Sequence, residues 1–178
     1  MSRLLPKTKN EINKKLTTKG YNIDGIITPT LQGYILIGSE LANETKIIVK
    51  MTSIYLHKNN IAILDDNKQI RVHENIVKEA TIMKHLGNKY TITPKGFLNC
   101  MDFFQDETMY YLVMEYGGSS LDNYIMDSID RVNSKILDVF QYRRHVQKLF
   151  KQMCLYIKWL HDNKVCHMDI SLENCLIQ

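Results

Sequence analysis

The sequence predicts an α+β protein in two parts, a strand-rich first part with one helix and a second part that is helical. Two observations carry this prediction: β-rich runs recur between Tyr21 and Tyr116, and apolar residues recur with a helical period from Val146 to Leu160. Gly117-Gly118 separates the two patterns. We therefore predict a basic N-terminal arm at residues 1–20, the first part at 21–116 and the second at 117–178.

The individual elements follow from local patterns. Runs of β-branched and aromatic residues predict strands at Tyr34–Ile37, Lys46–Met51, Phe97–Phe104 and Met109–Tyr116. Apolar residues three and four apart predict two helices, Ile76–Leu86 and Val146–Leu160. Residues typical of turns and helix ends mark three boundaries: a turn at Asp65-Asp66-Asn67, a helix end at Gly87-Asn88 and a helix start at Ser119-Ser120.

Composition and charge exclude several classes of protein. With 44% hydrophobic and 24% charged residues among 178, the chain is neither disordered nor fibrous. Its longest apolar run, Met109–Met114, is too short to span a membrane, so a soluble cytoplasmic protein is the default expectation. The net charge of +4 is concentrated in residues 1–20, which predicts a solvated, mobile arm. The rest of the chain lacks the distributed basic surface typical of nucleic-acid binding.

The four cysteines are interpreted as small buried hydrophobic residues, because they form no C-x-x-C pair. They are Cys100, Cys154, Cys166 and Cys175. A less favoured alternative is a zinc site, and its ligands would be Cys154, His161, Cys166 and His167.

The most specific motif is an H-x-D-x-x-x-x-N loop that runs from His167 to Asn174. Asp169 offers a carboxylate that can orient a hydroxyl, and Asn174 offers an amide that can bind a metal ion from the same loop. Taken alone, the pattern fits equally well a polar loop without catalytic function, in which the histidine is simply hydrogen-bonded.

Together with this loop, three other segments resemble the protein kinases. Met109–Gly118 resembles the strand that leads into the hinge, Lys46–Lys50 resembles the V-A-I-K strand, and Glu79–Leu86 resembles the helix that supplies an ion-pair glutamate. The resemblance covers residues 21–178. It implies a protein-kinase-like two-lobe fold, with a complete β-rich N-terminal lobe and the first helices and catalytic loop of the C-terminal lobe.

The resemblance also implies an activity and a set of site residues. The implied reaction transfers the γ-phosphoryl group of ATP, with Mg²⁺, to Ser or Thr hydroxyls of protein substrates. Asp169 would orient the hydroxyl, Lys50 would hold the ATP phosphates, and Asn174 would bind Mg²⁺, while His167 would brace the loop. Glu79 would hold Lys50, and the other residues implied in nucleotide binding are Gly33, Ile35, Ile48, Met114, Glu115, Gly117 and Leu176.

The chain departs from the kinase pattern where the phosphates would bind. The glycine-rich G-x-G-x-x-G loop should fall on residues 28–33, and only Gly33 is retained. Pro29 has no backbone N–H to offer, so phosphate binding by this loop should be weak. Ile48 stands in the place of the usual Ala and narrows the adenine site. The extra Ile54–Asn67 segment lengthens the path to Glu79, so Glu74 is an alternative partner for Lys50.

The catalytic loop departs from the pattern as well. Met168 replaces the usual Arg, and Ser171 replaces the Lys that marks serine/threonine kinases. Tyrosine kinases place an Arg where this chain has Glu173, so they fit less well, and a weak likeness to the FIKK kinases remains. Because Gln178 precedes the position of a D-F-G sequence, we expect a truncated product that phosphorylates little by itself.

Two alternative functions stay open. A pseudokinase would use the lobes as a nucleotide-binding or docking scaffold, and the lost glycines favour it. A small-molecule phosphotransferase of the aminoglycoside or choline type also carries H-x-D and a later Asn. The predicted partners are ATP and a protein substrate, with neither nucleic acid nor a membrane span.

Overall fold

A computed structural model describes residues 9–64, 68–89 and 96–177. The chain divides into two compact units. Among the described residues, the first comprises 9–64, 68–89 and 97–116, and the second comprises Gly96 and 117–177. The first is rich in strands and the second in helices, so the α+β prediction is confirmed. The predicted turn at Asp65–Asn67 lies outside the described residues.

The described residues of the first unit form three helices and seven strands. The elements are α1 (Lys9–Thr17), β1 (Tyr21–Pro29), β2 (Gly33–Glu40), β3 (Lys46–Ser53), α2 (Ile54–Asn59), β4 (Ile61–Ile63), β5 (Gln69–Arg71), α3 (Ile76–Lys89), β6 (Cys100–Gln105) and β7 (Met109–Glu115). Five of the strands form one antiparallel sheet in the order β1-β2-β3-β7-β6. Strands β4 and β5 form a separate antiparallel pair.

Strand β7 explains the longest apolar run of the sequence. Residues Met109–Met114 are all buried, because side chains that alternate along the strand enter cores on both faces of the sheet. On one face the core includes Ile12 and Leu16 of α1. On the other face it includes Ile76 and Ala80 of α3. The two helices therefore cover opposite faces of the sheet.

Two sequence predictions about helices in this unit are wrong. Residues 9–17 are not a solvated arm: they form α1, in which Ile12 and Leu16 are 2% and 0% exposed. These two residues lie four apart and so share the buried face of the helix. Helix α3 continues to Lys89 instead of ending at Gly87-Asn88.

Asp106, in the turn between β6 and β7, ties α1 to the sheet. Its carboxylate accepts hydrogen bonds from Lys15 Nζ at 2.6 Å and from the Tyr111 hydroxyl at 2.9 Å. It also accepts the backbone N–H groups of Thr108 and Met109 at 2.7 and 2.8 Å and the Thr108 hydroxyl at 3.1 Å. Burial raises the pKa of Asp106, but the bonds from Lys15, from Tyr111 and from the two backbone N–H groups outweigh it and hold that pKa well below its ordinary value. Burial and the Asp106 carboxylate raise the pKa of Tyr111.

We expect Asp106→Asn to lower the free energy of unfolding by about 1–2 kcal/mol at pH 7, because it removes the negative charge to which Lys15, Tyr111, Thr108 and Met109 donate. A depressed folded-state pKa stabilises the fold above the unfolded pKa of about 4, and this stabilisation is lost as the pH falls through the folded value. The difference between wild type and variant should therefore be constant above about pH 5 and shrink below pH 4. Urea denaturation followed by circular dichroism measures it, with the exposed Glu107→Gln as the charge-matched control. Equal losses in the two variants would contradict this role of Asp106.

The second unit consists of two helices and a short strand pair. The elements are β8 (Ser119–Ser120), α4 (Leu121–Asn133), α5 (Val139–Asp162) and β9 (Leu176–Ile177), and β8 pairs antiparallel with β9. Ser120 Oγ accepts the N–H of Asn123 at 3.3 Å, so the predicted helix start is confirmed. Helix α5 begins at Val139 rather than at Val146, because Asp138 caps it. In the described part of the chain, no helix is long and apolar enough to cross a membrane.

Candidate active site

Lys50 is held by two acidic residues within the first unit. Its Nζ lies 2.9 Å from Glu79 Oε2 and 3.8 Å from Glu74 Oε2. The Lys50 side chain is only 19% exposed, whereas those of Glu79 and Glu74 are 38% and 45% exposed. The shorter distance is a hydrogen bond, so Glu79 is the closer partner and Glu74 a second carboxylate beside the same ammonium. Glu79 and Glu74, the two partners that the sequence suggests for Lys50, thus both lie beside its ammonium group.

The position of Glu79 depends on how α3 begins. Asn75 precedes the helix, and its Oδ1 accepts the N–H of Lys78 at 2.8 Å while its carbonyl accepts the N–H of Glu79 at 2.9 Å. Ile76 and Ala80 pack against the sheet face that also carries Ile48. We did not single out Asn75 in the sequence, although an Asn directly before an apolar periodic segment is a helix-start signal.

The strand register pairs four of the first-unit residues that are predicted to bind the nucleotide, in two cross-strand pairs. Ile35 lies opposite Lys50 across β2 and β3, and Ile48 lies opposite Met114 across β3 and β7. Met114 is only 8% exposed. Because residues two apart on a strand share a face, Ile48 and Lys50 point to the same side of the sheet.

Gly33, at the end of the β1–β2 turn, is required by the packing of the strands themselves. A Cβ atom on this residue would overlap the carbonyl oxygen of Met51 on the neighbouring strand β3. The retained glycine therefore has a structural explanation that does not involve phosphate.

Glu115, the last residue of β7, is fixed by Asn99, a residue that no sequence pattern indicates. Asn99 donates its side-chain amide to the Glu115 carboxylate at 2.9 Å and its backbone N–H at 3.3 Å, and its carbonyl accepts the N–H of Glu115 at 3.4 Å. An isolated polar residue in a loop carries no periodic signal, so only the structure reveals Asn99. Gly117, whose backbone is the other one predicted to contact adenine, lies in the second unit.

Within the second unit, the loop after α5 places Asp169 and Asn174 in direct contact. Asn174 Nδ2 donates to Asp169 Oδ2 at 2.8 Å and to the Asp169 carbonyl at 3.0 Å. Ser171 Oγ accepts the N–H of Asn174 at 3.3 Å, which closes the turn between them. His167 contributes only a long contact, since its Nδ1 accepts the Asp169 N–H at 3.4 Å.

The same loop is anchored to the start of α4. The N–H of Leu121 donates to the carbonyl of Cys175 at 2.7 Å, and Leu176 pairs with Ser120 between β9 and β8. Leu172, which the sequence suggested would point inward, is 42% exposed, and Met168 is 90% exposed with a left-handed φ of 67°. The anchoring is thus made by the backbone and not by an apolar side chain.

The oxygen atoms that the loop could offer as metal ligands suit a hard divalent cation such as Mg²⁺ better than zinc. Because Asn174 uses its Nδ2 for Asp169, its Oδ1 is the atom that can face an ion, and Asp169 adds carboxylate oxygens. Over the described ranges, no group of three or more His, Cys, Asp and Glu residues could hold a metal ion, which leaves the zinc alternative without a site.

Comparison with known proteins shows the family of the chain. A family profile described as "Protein kinase domain" matches residues 59–178, which is more than half of the chain and contains the Asp169–Asn174 loop. The chain belongs to the protein kinase family. The two-lobe kinase resemblance inferred from the motifs is confirmed.

The kinase domain is similar to several curated serine/threonine-protein kinases at low identity. It is 28% identical over 145 residues to the probable serine/threonine-protein kinase MARK-C of Dictyostelium discoideum, covering 79% of this chain and 17% of that protein. It is 25% identical over 178 residues to MARK-B of the same organism, covering 99% and 22%. It is 31% identical over 123 residues to the putative serine/threonine-protein kinase 040L of Invertebrate iridescent virus 3, covering 62% and 33%. The chain thus spans a third or less of the length of these relatives.

Proposed function

We propose that this kinase domain transfers the γ-phosphoryl group of ATP to Ser or Thr hydroxyls of protein substrates. The observation that carries the proposal is the Lys50–Glu79 ion pair at 2.9 Å, on the strand and helix where a protein kinase needs it. The names of the similar proteins, all serine/threonine-protein kinases, favour Ser and Thr as acceptors. The four cysteines are free, although they are not buried as the sequence predicted: Cys154 and Cys166 are exposed, and Cys100 and Cys175 are half-buried. Free cysteines favour a reducing compartment, and we propose the cytoplasm.

Each residue has one task in this proposal. Lys50 presents a compact cation to the α- and β-phosphates, and Glu79 keeps its Nζ in place. Ile35, Ile48 and Met114 supply apolar surface for the adenine, to which Leu176 and the backbone of Glu115 and Gly117 add contacts, while Gly33 allows the strands to approach. Asp169 orients the acceptor hydroxyl and takes its proton. Asn174 would hold Mg²⁺, which, when bound, offsets the negative charge that develops during transfer.

A nucleotide-binding scaffold is the second candidate, and one observation favours it. The β1–β2 turn lacks the glycines that would let its amides close around phosphates. We therefore also propose that the 178-residue polypeptide binds ATP while transferring phosphate far more slowly than the 1–100 s⁻¹ typical of kinases.

Thermal shift and a labelling assay on the 178-residue chain test both proposals. We expect MgATP to raise the melting temperature, because the ligand binds the folded state preferentially. With γ-labelled ATP and prolonged incubation, any label should appear on Ser or Thr of a generic basic protein and disappear in Asp169→Ala. The absence of a thermal shift would contradict nucleotide binding. Label on aminoglycosides or choline, with none on protein, would favour a small-molecule phosphotransferase.

A further inference from the structure

Gln32, in the turn between β1 and β2, is a buried polar residue that the proposed mechanism has not used. Its side chain is 1% exposed, and its Nε2 donates to the carbonyl of Leu56 at 3.2 Å and to the carbonyl of Ile61 at 3.0 Å. Leu56 lies in α2 and Ile61 opens β4, so one side chain bridges the turn to two elements of the extra segment.

The backbone of the turn is tied down in the same place. The N–H of Ser53 donates to the carbonyl of Gln32 at 2.9 Å, and the N–H of Thr30 donates to the carbonyl of Gly33 at 2.9 Å. The turn thus has one hydrogen bond that closes it and three that fasten it to neighbouring elements, two of them from the Gln32 amide. This is the arrangement of a fixed turn, whereas a glycine-rich loop is free to flex.

The elements that receive Gln32 are themselves well anchored. The N–H of Ile54 at the start of α2 donates to the carbonyl of Thr108 at 2.9 Å. Asn60 caps the C-terminus of α2, and its left-handed φ of 53° lets its N–H return to the carbonyl of His57 at 3.1 Å. The carbonyl of Asn60 then accepts the N–H of Val72, just after β5, at 2.9 Å. Val72 leads directly to Glu74 and α3, which provide the two carboxylates beside Lys50.

The hydrogen bonds that Gln32 donates from Nε2 explain why a polar side chain is buried at this position. A buried amide is costly unless it is hydrogen-bonded, and Gln32 Oε1 is buried without a partner among the described residues. An apolar side chain of the same length would avoid that cost. The two bonds from Nε2 must therefore offset it, and what they fix is the geometry of the turn.

We propose that Gln32 is a positioning residue for ATP, a role that rests on the proposed function. By fastening the turn to α2 and β4, it holds the backbone of residues 30–33 in the conformation that meets the phosphates. The conformational entropy of the turn is then lost during folding, so ATP binding does not have to order the turn. Preorganisation by Gln32 in this way replaces the flexible glycines that the turn lacks.

Isothermal titration of Gln32→Met with MgATP and with adenosine tests the proposal. Methionine keeps the length of the side chain and removes the donor. We expect the Kd for MgATP to rise about tenfold while the Kd for adenosine changes less than about twofold, because only MgATP reaches the turn. The control is Ile12→Val in the core against α1, which should lower the melting temperature and leave both Kd values unchanged. Parallel changes in the two Kd values, or no change in either, would overturn the proposal.

Hydrogen exchange on the wild-type chain without nucleotide keeps the proposal testable if Gln32→Met does not fold. The amides of Thr30 and Ser53, whose bonds fix the turn, should exchange slowly in the absence of any ligand. Fast exchange that becomes slow only with MgATP would show a mobile loop and overturn the proposal. If the wild type binds neither MgATP nor adenosine, the proposed function itself fails. Slow exchange would then show that the turn is fixed although no nucleotide binds.

Discussion

Lys50→Met should weaken the binding of MgATP about 100-fold while leaving the binding of adenosine nearly unchanged. The substitution keeps most of the side-chain volume of Lys50 and removes its charge. It takes away a charge-assisted contact to the phosphates, and it leaves Glu79 and Glu74 facing a polyanion with no cation between them. Both effects act on the triphosphate, and neither acts on the adenine or ribose. Isothermal titration with the two ligands separates them.

Lys46→Met is the matched control for this measurement. Lys46 lies on the same strand β3 and undergoes the same chemical change, but its side chain is exposed and lies over the ring of Tyr116, 5.6 Å from the centroid. We expect its affinity for MgATP to stay within about threefold of the wild-type value, as screening predicts for an exposed charge. An unchanged MgATP affinity in Lys50→Met, or an equal loss for adenosine, would contradict the assignment of Lys50 to the phosphates.

Leu16→Ala should lower the free energy of unfolding by about 3 kcal/mol. Leu16 is completely buried in the core beneath α1, together with Tyr21, Leu36 and Tyr111. Truncating it removes transfer free energy and leaves a cavity between the helix and a sheet that cannot collapse freely. Urea denaturation followed by circular dichroism is the appropriate measurement, because Trp159, the one tryptophan of the chain, lies in the second unit.

The control for this prediction is Leu41→Ala, which makes the same change at a side chain that is 53% exposed. We expect a loss of less than about 1 kcal/mol there. If Leu16→Ala cost no more than Leu41→Ala, helix α1 would have to be regarded as a detachable arm, as the charge pattern alone suggested.

The strands and the family could be predicted from the sequence because their signals are local. Strand β7 stands out as an uninterrupted apolar run, and the Asp169–Asn174 motif lies within one loop. Helix α1 was missed because its basic residues dominate the composition, whereas its packing depends on Ile12 and Leu16 alone. The charge of a segment describes its exposed face and says little about the opposite one.

The remaining gaps concern contacts between segments that are distant in the sequence. The choice between Glu74 and Glu79 could not be made, because the path of the intervening β4–β5 pair sets the position of α3. Gln32 gave no signal, since its partners are backbone carbonyls, which every residue possesses. Asn99 is similar, because a single loop amide acquires a role only when the fold brings Glu115 next to it.

The interior position of β7, between β3 and β6, has a consequence for the nascent chain. Met109–Met114 contains neither charge nor proline and has high β-propensity, which is the composition of segments that assemble into cross-β fibrils. Until β3 and β6 flank it, this segment is exposed to self-association, so incomplete folding of the first unit carries a risk of aggregation. Asp106, Glu107 and Glu115 lie at its two ends, where charged gatekeepers oppose such stacking. The acids that frame the strand therefore protect solubility during synthesis as well as shaping the finished fold.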